Sequence, residues 1–373
     1  MSRAQTDEKA GRVEASGEKH FTFPGLRLES GKNFGPVTLR YETWGRLNDE
    51  KTNAVLLLHA LSGDAHAAGW WEGMVGPGNA FDTDRYFVIC SNVLGGCSGS
   101  TGPSSLNPET GRPYGLSFPV ITIGDMVEAQ KKLLDELGIK KLLSASGGSM
   151  GGMQALSWLL KYPGRVKSVI PIATALRHTP QQIAFNEVGR QAIMADPLWN
   201  GGDYYGRGVP SRGLAVARMV GHITYMSDES MTRKFGRERK NGSPAFRFNP
   251  DFEVEGYLHH RGSTFVKRFD ANTYLYITKA MDNFEIPAEA SFRGAGVKAM
   301  VIAFKSDWLY PAYQAREIVS LFKRSGLQTT YCEIDSSYGH DAFLLEIEEQ
   351  SRLISHFLRR LSEDGGPAYD YEI

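Results

Sequence analysis

Leu142-Leu143-Ser144-Ala145-Ser146-Gly147-Gly148-Ser149-Met150-Gly151-Gly152-Met153-Gln154-Ala155-Leu156 joins a short strand-like run to a helical apolar pattern through four glycines and one central serine. Gly147-Gly148-Ser149-Met150-Gly151 fits G-x-S-x-G, a strand-to-helix corner that lifts a serine hydroxyl clear of the backbone. Glycine neighbours are needed because a Cβ there would strike the adjoining strand and helix. The corner also aims the Met150 amide and the positive end of the next helix at one point, where an oxyanion would find a donor. A glycine-rich turn with an incidental serine satisfies the same pattern, so the rest of the chain must decide.

Working outward, Asn53-Ala54-Val55-Leu56-Leu57-Leu58-His59-Ala60 and Tyr86-Phe87-Val88-Ile89-Cys90 are continuous apolar runs, the pattern of strands buried on both faces. Each feeds a loop, His59-Ala60-Leu61-Ser62-Gly63-Asp64 or Asn92-Val93-Leu94-Gly95-Gly96-Cys97, where open α/β sheets keep their ligand sites. Upstream, residues 21–46 alternate with the period of two expected of antiparallel strands at a sheet edge. Apolar positions over 123–137 predict a helix closed by Gly138, and 166–173 predicts the strand after the corner helix. The β/α alternation then stops. From about Arg177 to Arg293 the pattern is helical, as over 212–225 and 270–280, with a basic polar stretch at 233–249 that reads as a solvated loop. The sheet resumes at Val297–Phe304, continues through a helix at 312–325 and a strand at 329–334, and ends in a helix over 343–361. The expected organisation is a tail over 1–20, an α/β core formed by 21–176 and 294–362, a helical lid inserted over 177–293, and a second tail over 363–373.

Composition narrows the class. Forty-two basic residues balance forty-two acidic ones, so no net field favours nucleic acid or an anionic membrane surface. No apolar run approaches the roughly 20 residues of a membrane helix, and the first twenty residues lack the apolar centre of a signal peptide. Three cysteines, Cys90, Cys97 and Cys332, show neither disulfide parity nor metal spacing, which points to a reducing, cytoplasmic setting and no metal. Cys97, in its glycine loop, is the alternative nucleophile.

A serine nucleophile needs a base to take its proton and a carboxylate to hold that base in the right tautomer. Asp307 and His340 each follow a predicted parallel strand, on the same sheet edge as Ser149. The order Ser, Asp, His is that of α/β hydrolases. The fold class expected is therefore an α/β-hydrolase fold with a mostly parallel central sheet and an inserted helical lid. The Leu61 amide is in place to join Met150 in the oxyanion hole, and His59 reads as a buried structural histidine.

With these blocks and Ala217-Arg218-Met219-Val220-Gly221-His222-Ile223-Thr224-Tyr225 and Gly339-His340-Asp341, the chain resembles the homoserine O-acetyltransferase family of methionine biosynthesis. The resemblance implies that Ser149 takes an acyl group from acetyl-CoA and passes it to L-homoserine by a ping-pong mechanism. Acetyl-CoA is then a co-substrate and no bound cofactor is needed. It also implies that Arg218, Tyr225 and Asp341 bind the amino acid and that the chain is a homodimer. Guanidinium and carboxylate suit the two ends of an amino acid. The loop Gly96-Cys97-Ser98-Gly99-Ser100-Thr101-Gly102 departs from the Gln and Thr often found in this family at positions 98 and 100. A succinyl donor, a serine acceptor and an esterase-type serine hydrolase are the alternatives. Trp70, Trp71 and the aromatic residues of the insertion are the candidates for walls of a dry channel.

Overall fold

The structure, a computed structural model, describes residues 17–240, 242, 248 and 250–362. The tail expected at 363–373, residues 1–16 of the tail expected at 1–20, and positions 241, 243–247 and 249 of the polar stretch lie outside the described residues.

Eight strands form the main sheet: β1 (Lys19–Phe23), β2 (Val37–Trp44), β3 (Ala54–Leu58), β4 (Phe87–Ser91), β5 (Ser144–Gly148), β6 (Ser168–Ile172), β7 (Lys298–Phe304) and β8 (Gln328–Ile334). Their order is β1-β2-β4-β3-β5-β6-β7-β8. β2 pairs antiparallel with both β1 and β4, and every other pairing is parallel. The alternating segment thus forms the edge, beginning at Lys19 inside the expected tail.

Period-two geometry explains the continuous apolar runs. In β3, Ala54, Leu56 and Leu58 enter one core and Val55 and Leu57 the other. In β7, Ala299, Val301 and Ala303 alternate in the same way with Met300, Ile302 and Phe304. With both faces covered, each position must be apolar.

Between β5 and β6 runs α2 (Met150–Lys161), and α1 (Ile123–Glu136) precedes β5. Thr122 and Asp125 form a capping box on α1, and Gly138 follows its end at φ 70°. Between β6 and β7 lie α3 (Pro180–Met194), α4 (Ser211–Tyr225), α5 (Asp228–Phe235), α6 (Glu253–Val266) and α7 (Ala271–Asp282). An Arg177–Glu285 bridge closes the base of this helical insertion. Residues 233–235 of the expected loop are helical, forming the last turn of α5.

After β7 come α8 (Ala312–Arg324) and, beyond β8, α9 (Ile347–Ser362). The single helix expected over 343–361 is interrupted: Ala342–Leu345 is a separate turn, and Glu346 has φ −83°, ψ 63°. The carbonyls freed there are satisfied by side chains. Gln350 Nε2 donates to the Phe343 and Glu346 carbonyls, and Trp71 Nε1 donates to Phe343 O at 2.9 Å.

Candidate active site

The corner is built as its glycines require. Ser149 caps α2 with φ 56° and ψ −122°, a left-handed backbone for a residue with a Cβ. A Cβ on Gly151 would lie 2.0 Å from Leu58 O, so only glycine lets α2 approach β3. The Ser149 amide is spent on Ile172 O at 2.9 Å, and the Met150 amide at the helix start has no partner among the described residues.

His340 Nε2 lies 2.9 Å from Ser149 Oγ and its Nδ1 2.7 Å from Asp307 Oδ2. All three are nearly buried, at 6, 3 and 3% exposure for Ser149, His340 and Asp307. The Leu309 and Tyr310 amides donate to Asp307 Oδ1 at 3.0 and 2.8 Å, leaving Oδ2 for the imidazole. An ionised carboxylate only accepts, so Nδ1 carries the proton and Nε2 has its lone pair toward Ser149. His340 sits on a turn (Gly339–Asp341), where Gly339 has φ 76° and donates to Ser306 Oγ at 2.9 Å. A Cβ on Gly339 would come 2.5 Å from Ser227 N, so glycine also lets this loop press against the end of α4. The Tyr310 ring stacks on His340 at 4.9 Å, and Tyr225 lies 6.0 Å away.

The Leu61 loop follows β3, whose end crowds the start of the corner helix at Gly151. Gly63 N donates to Ala60 O at 2.9 Å, turning the chain around Leu61 and Ser62, and the Leu61 amide has no partner among the described residues. His59 is structural: Nδ1 donates to Ala60 O at 2.8 Å, and Nε2 accepts from Val93 N at 3.1 Å. Burial pushes its pKa down, which keeps it neutral in this bridging role. Gln154 Nε2 ties α2 to His59 O at 3.1 Å.

The insertion supplies Arg218 and Tyr225. Arg218 lies 4.6 Å over the Phe265 ring and 5.6 Å over the Tyr225 ring, and donates to Ser62 Oγ at 3.3 Å. Asp341, next to His340, forms no ion pair among the described residues, and burial pushes its carboxyl above the usual range. Arg218 likewise has no carboxylate partner among the described residues. The structure therefore places Tyr225 beside both Arg218 and His340 and leaves the Arg218 cation and the Asp341 acid without an ion-pair partner among the described residues.

Three expected features stand differently. Burial holds the Cys97 thiol up to about 11, so it is a poor nucleophile. Trp71 is wholly buried, 5.4 Å from Phe81, and braces the Phe343 carbonyl, so it supports the site without lining it. Ser100 Oγ donates to Asn92 O at 2.7 Å and accepts from Arg40 N at 3.0 Å, so this divergent position holds a loop together. Sequence reading also missed Arg268, which donates to Ser62 O at 2.9 Å, and Tyr310, three residues beyond Asp307. Arg268 carried no motif, whereas its 5.2 Å contact with Phe265 places a second guanidinium on that ring.

Comparison with known proteins agrees with this fold. The alpha/beta hydrolase fold model matches residues 53–347. A relative named homoserine O-acetyltransferase from Methanohalobium evestigatum is 57% identical over 355 residues, covering 91% of this chain and 73% of the relative. The crystal structure of a homoserine O-acetyltransferase from Bacillus anthracis superposes with a TM-score of 0.86 at 30% identity, covering 92% of this chain and 98% of that one. That of esterase E22 superposes at 0.84 with 31% identity, covering 92% and 100%. The chain belongs to the homoserine O-acetyltransferase family of the α/β-hydrolase fold.

Proposed function

We propose that this chain transfers an acetyl group from acetyl-CoA to the hydroxyl of L-homoserine, with Ser149 as the covalent carrier. The observation that carries the reading is the unpaired Arg218 and Asp341 beside the triad, since a simple ester needs neither. A guanidinium fork holds an α-carboxylate and an aspartate holds an α-ammonium, so the two select a free amino acid.

The chemistry divides into two half-reactions. His340 Nε2 takes the Ser149 proton as Oγ attacks the thioester carbonyl, and the Leu61 and Met150 amides receive the oxyanion. His340 then gives that proton to the departing thiolate, releasing CoA. In the second half, the homoserine hydroxyl gives its proton to His340 and attacks the acetyl-serine. Collapse forms O-acetylhomoserine and returns the proton to Ser149.

A carrier with phosphates is supported by Arg233, Lys234, Arg261 and Arg268, none of which has a carboxylate partner within ion-pair distance among the described residues. Lys234 and Arg261 lie 4.6 and 5.2 Å over the Tyr257 ring, whose hydroxyl is 3.1 Å from His222 Nδ1. The insertion then acts as a lid that keeps water from the acyl-enzyme. Exposed Ile183 and Val188 on α3 and Val216 and Ile223 on α4 support its second role, pairing two copies as a homodimer. No described helix is long and apolar enough to cross a membrane.

Steady-state turnover tests the reading. Acetyl-CoA consumption should require L-homoserine, exceed that with succinyl-CoA or L-serine, and give parallel double-reciprocal lines. Turnover that ignores homoserine while simple esters are hydrolysed quickly would make the chain an esterase.

A further inference from the structure

A second buried array reaches the triad through Tyr310. Asp282, at the end of α7, accepts from Arg190 Nη1 and Asn186 Nδ2 at 2.6 and 2.7 Å, and its Oδ1 lies 2.9 Å from His178 Nδ1. His178 Nε2 is in turn 2.7 Å from the Tyr310 hydroxyl. Burial alone would raise the Asp282 pKa, but these hydrogen bonds outweigh it and keep the carboxyl ionised. An ionised Asp282 fixes the His178 proton on Nδ1, so Nε2 accepts from the Tyr310 phenol. His178 and Tyr310 are 7 and 3% exposed, too buried for water to replace either partner freely.

Tyr310 is pinned at both ends. Its amide donates to the catalytic carboxylate at 2.8 Å and its hydroxyl to His178, while its ring lies against His340 at 4.9 Å and 29°. Donation to His178 enriches the ring in electron density, and the imidazole beneath it becomes a cation only when Ser149 has given up its proton. A ring face that attracts a cation then favours the transition state over the resting state.

We propose that Tyr310 is a further catalytic residue, its ring contacting His340 and stabilising the imidazolium, with His178 and Asp282 as its positioning residues. The inference rests on the acyl-serine reading above. Acetyl transfer by the full chain is measured for Tyr310→Phe, Tyr310→Leu, His178→Phe and His178→Gln, with melting temperatures alongside. Tyr310→Phe should lower kcat roughly tenfold with both KM values unchanged, and Tyr310→Leu should lower it further. His178→Phe should match Tyr310→Phe, the double variant should be no slower than either, and His178→Gln, which keeps an acceptor, should recover most of the rate. Wild-type kcat in both Tyr310 variants, or a change confined to KM, overturns the proposal. Equal losses in His178→Phe and His178→Gln that track melting temperature also overturn it, by showing a packing role. If Ser149→Ala keeps full transfer activity, the underlying reading fails; if only the Tyr310 variants are silent, this inference alone fails.

Discussion

Arg218, on a helix of the insertion, donates a hydrogen bond to Ser62 Oγ at 3.3 Å, in the loop that also presents the Leu61 amide. One guanidinium thus spans the proposed amino-acid site and the oxyanion loop. Lysine would keep the charge but lose the planar fork and its stacking on Phe265. Arg218→Lys should raise the homoserine KM about tenfold or more while leaving acetylation of the enzyme near wild type. An unchanged KM for homoserine in steady-state assays would remove Arg218 from the amino-acid site.

Asp307 sets the tautomer of His340 through the 2.7 Å contact at Nδ1. In Asp307→Asn the amide can donate to Nδ1, which moves the imidazole proton to Nε2, where it faces Ser149 and blocks proton removal. The same change in a serine protease costs about 10⁴-fold in kcat, and a loss of about 10³–10⁴-fold is expected here with folding intact. Stopped-flow release of CoA thiol reads it directly.

Asp341 carries a pH signature. Burial, the larger effect, raises its pKa although His340 and Arg218 pull it down. Homoserine binding needs the ionised form, so kcat/KM for homoserine should fall as pH drops through the raised value, above the ordinary carboxylate range. Asp341→Asn should lose that limb and bind homoserine weakly at every pH. Stability runs the other way: the folded state holds this proton more tightly than the unfolded one, so stability is lost as pH rises through the folded pKa. Asp341→Asn should therefore melt higher than wild type at neutral pH, with the difference vanishing below the unfolded value of about 4. Melting curves across pH check the sign.

Gly151 tests the corner itself. A methyl group 2.0 Å from Leu58 O forces β3 and α2 apart, and neither is a flexible side chain. Gly151→Ala should cost about 3 kcal/mol or more in chemical denaturation. A near-neutral change would mean that the corner tolerates a side chain.

Much of this was legible in the residues because single physical demands act locally. β3 and β7 had to read as unbroken apolar runs because both faces are covered, and Ser149 needed glycines wherever β3 crowds its helix. Asp307 and His340 showed themselves by position after their strands. What stayed hidden depends on partners far apart in the chain. At the interruption by Glu346 the Phe343 carbonyl is met by Trp71 from far along the chain as well as by nearby Gln350, a distant partner that the residues around Ala342 do not signal. His178 and Tyr310 lie in the loops after β6 and β7 and Asp282 at the end of α7, and only folding of the insertion against the core joins them. Trp71 shows the reverse limit: an aromatic pair suggested a channel wall, but packing placed this member wholly inside.

Intact-mass analysis of the purified chain mixed with acetyl-CoA, without and then with L-homoserine, tests the central claim most directly. The account predicts one added acetyl group, located on Ser149 by peptide mapping, that disappears on adding homoserine as O-acetylhomoserine forms. No adduct on Ser149, or an adduct that water removes as fast as homoserine does, would contradict it.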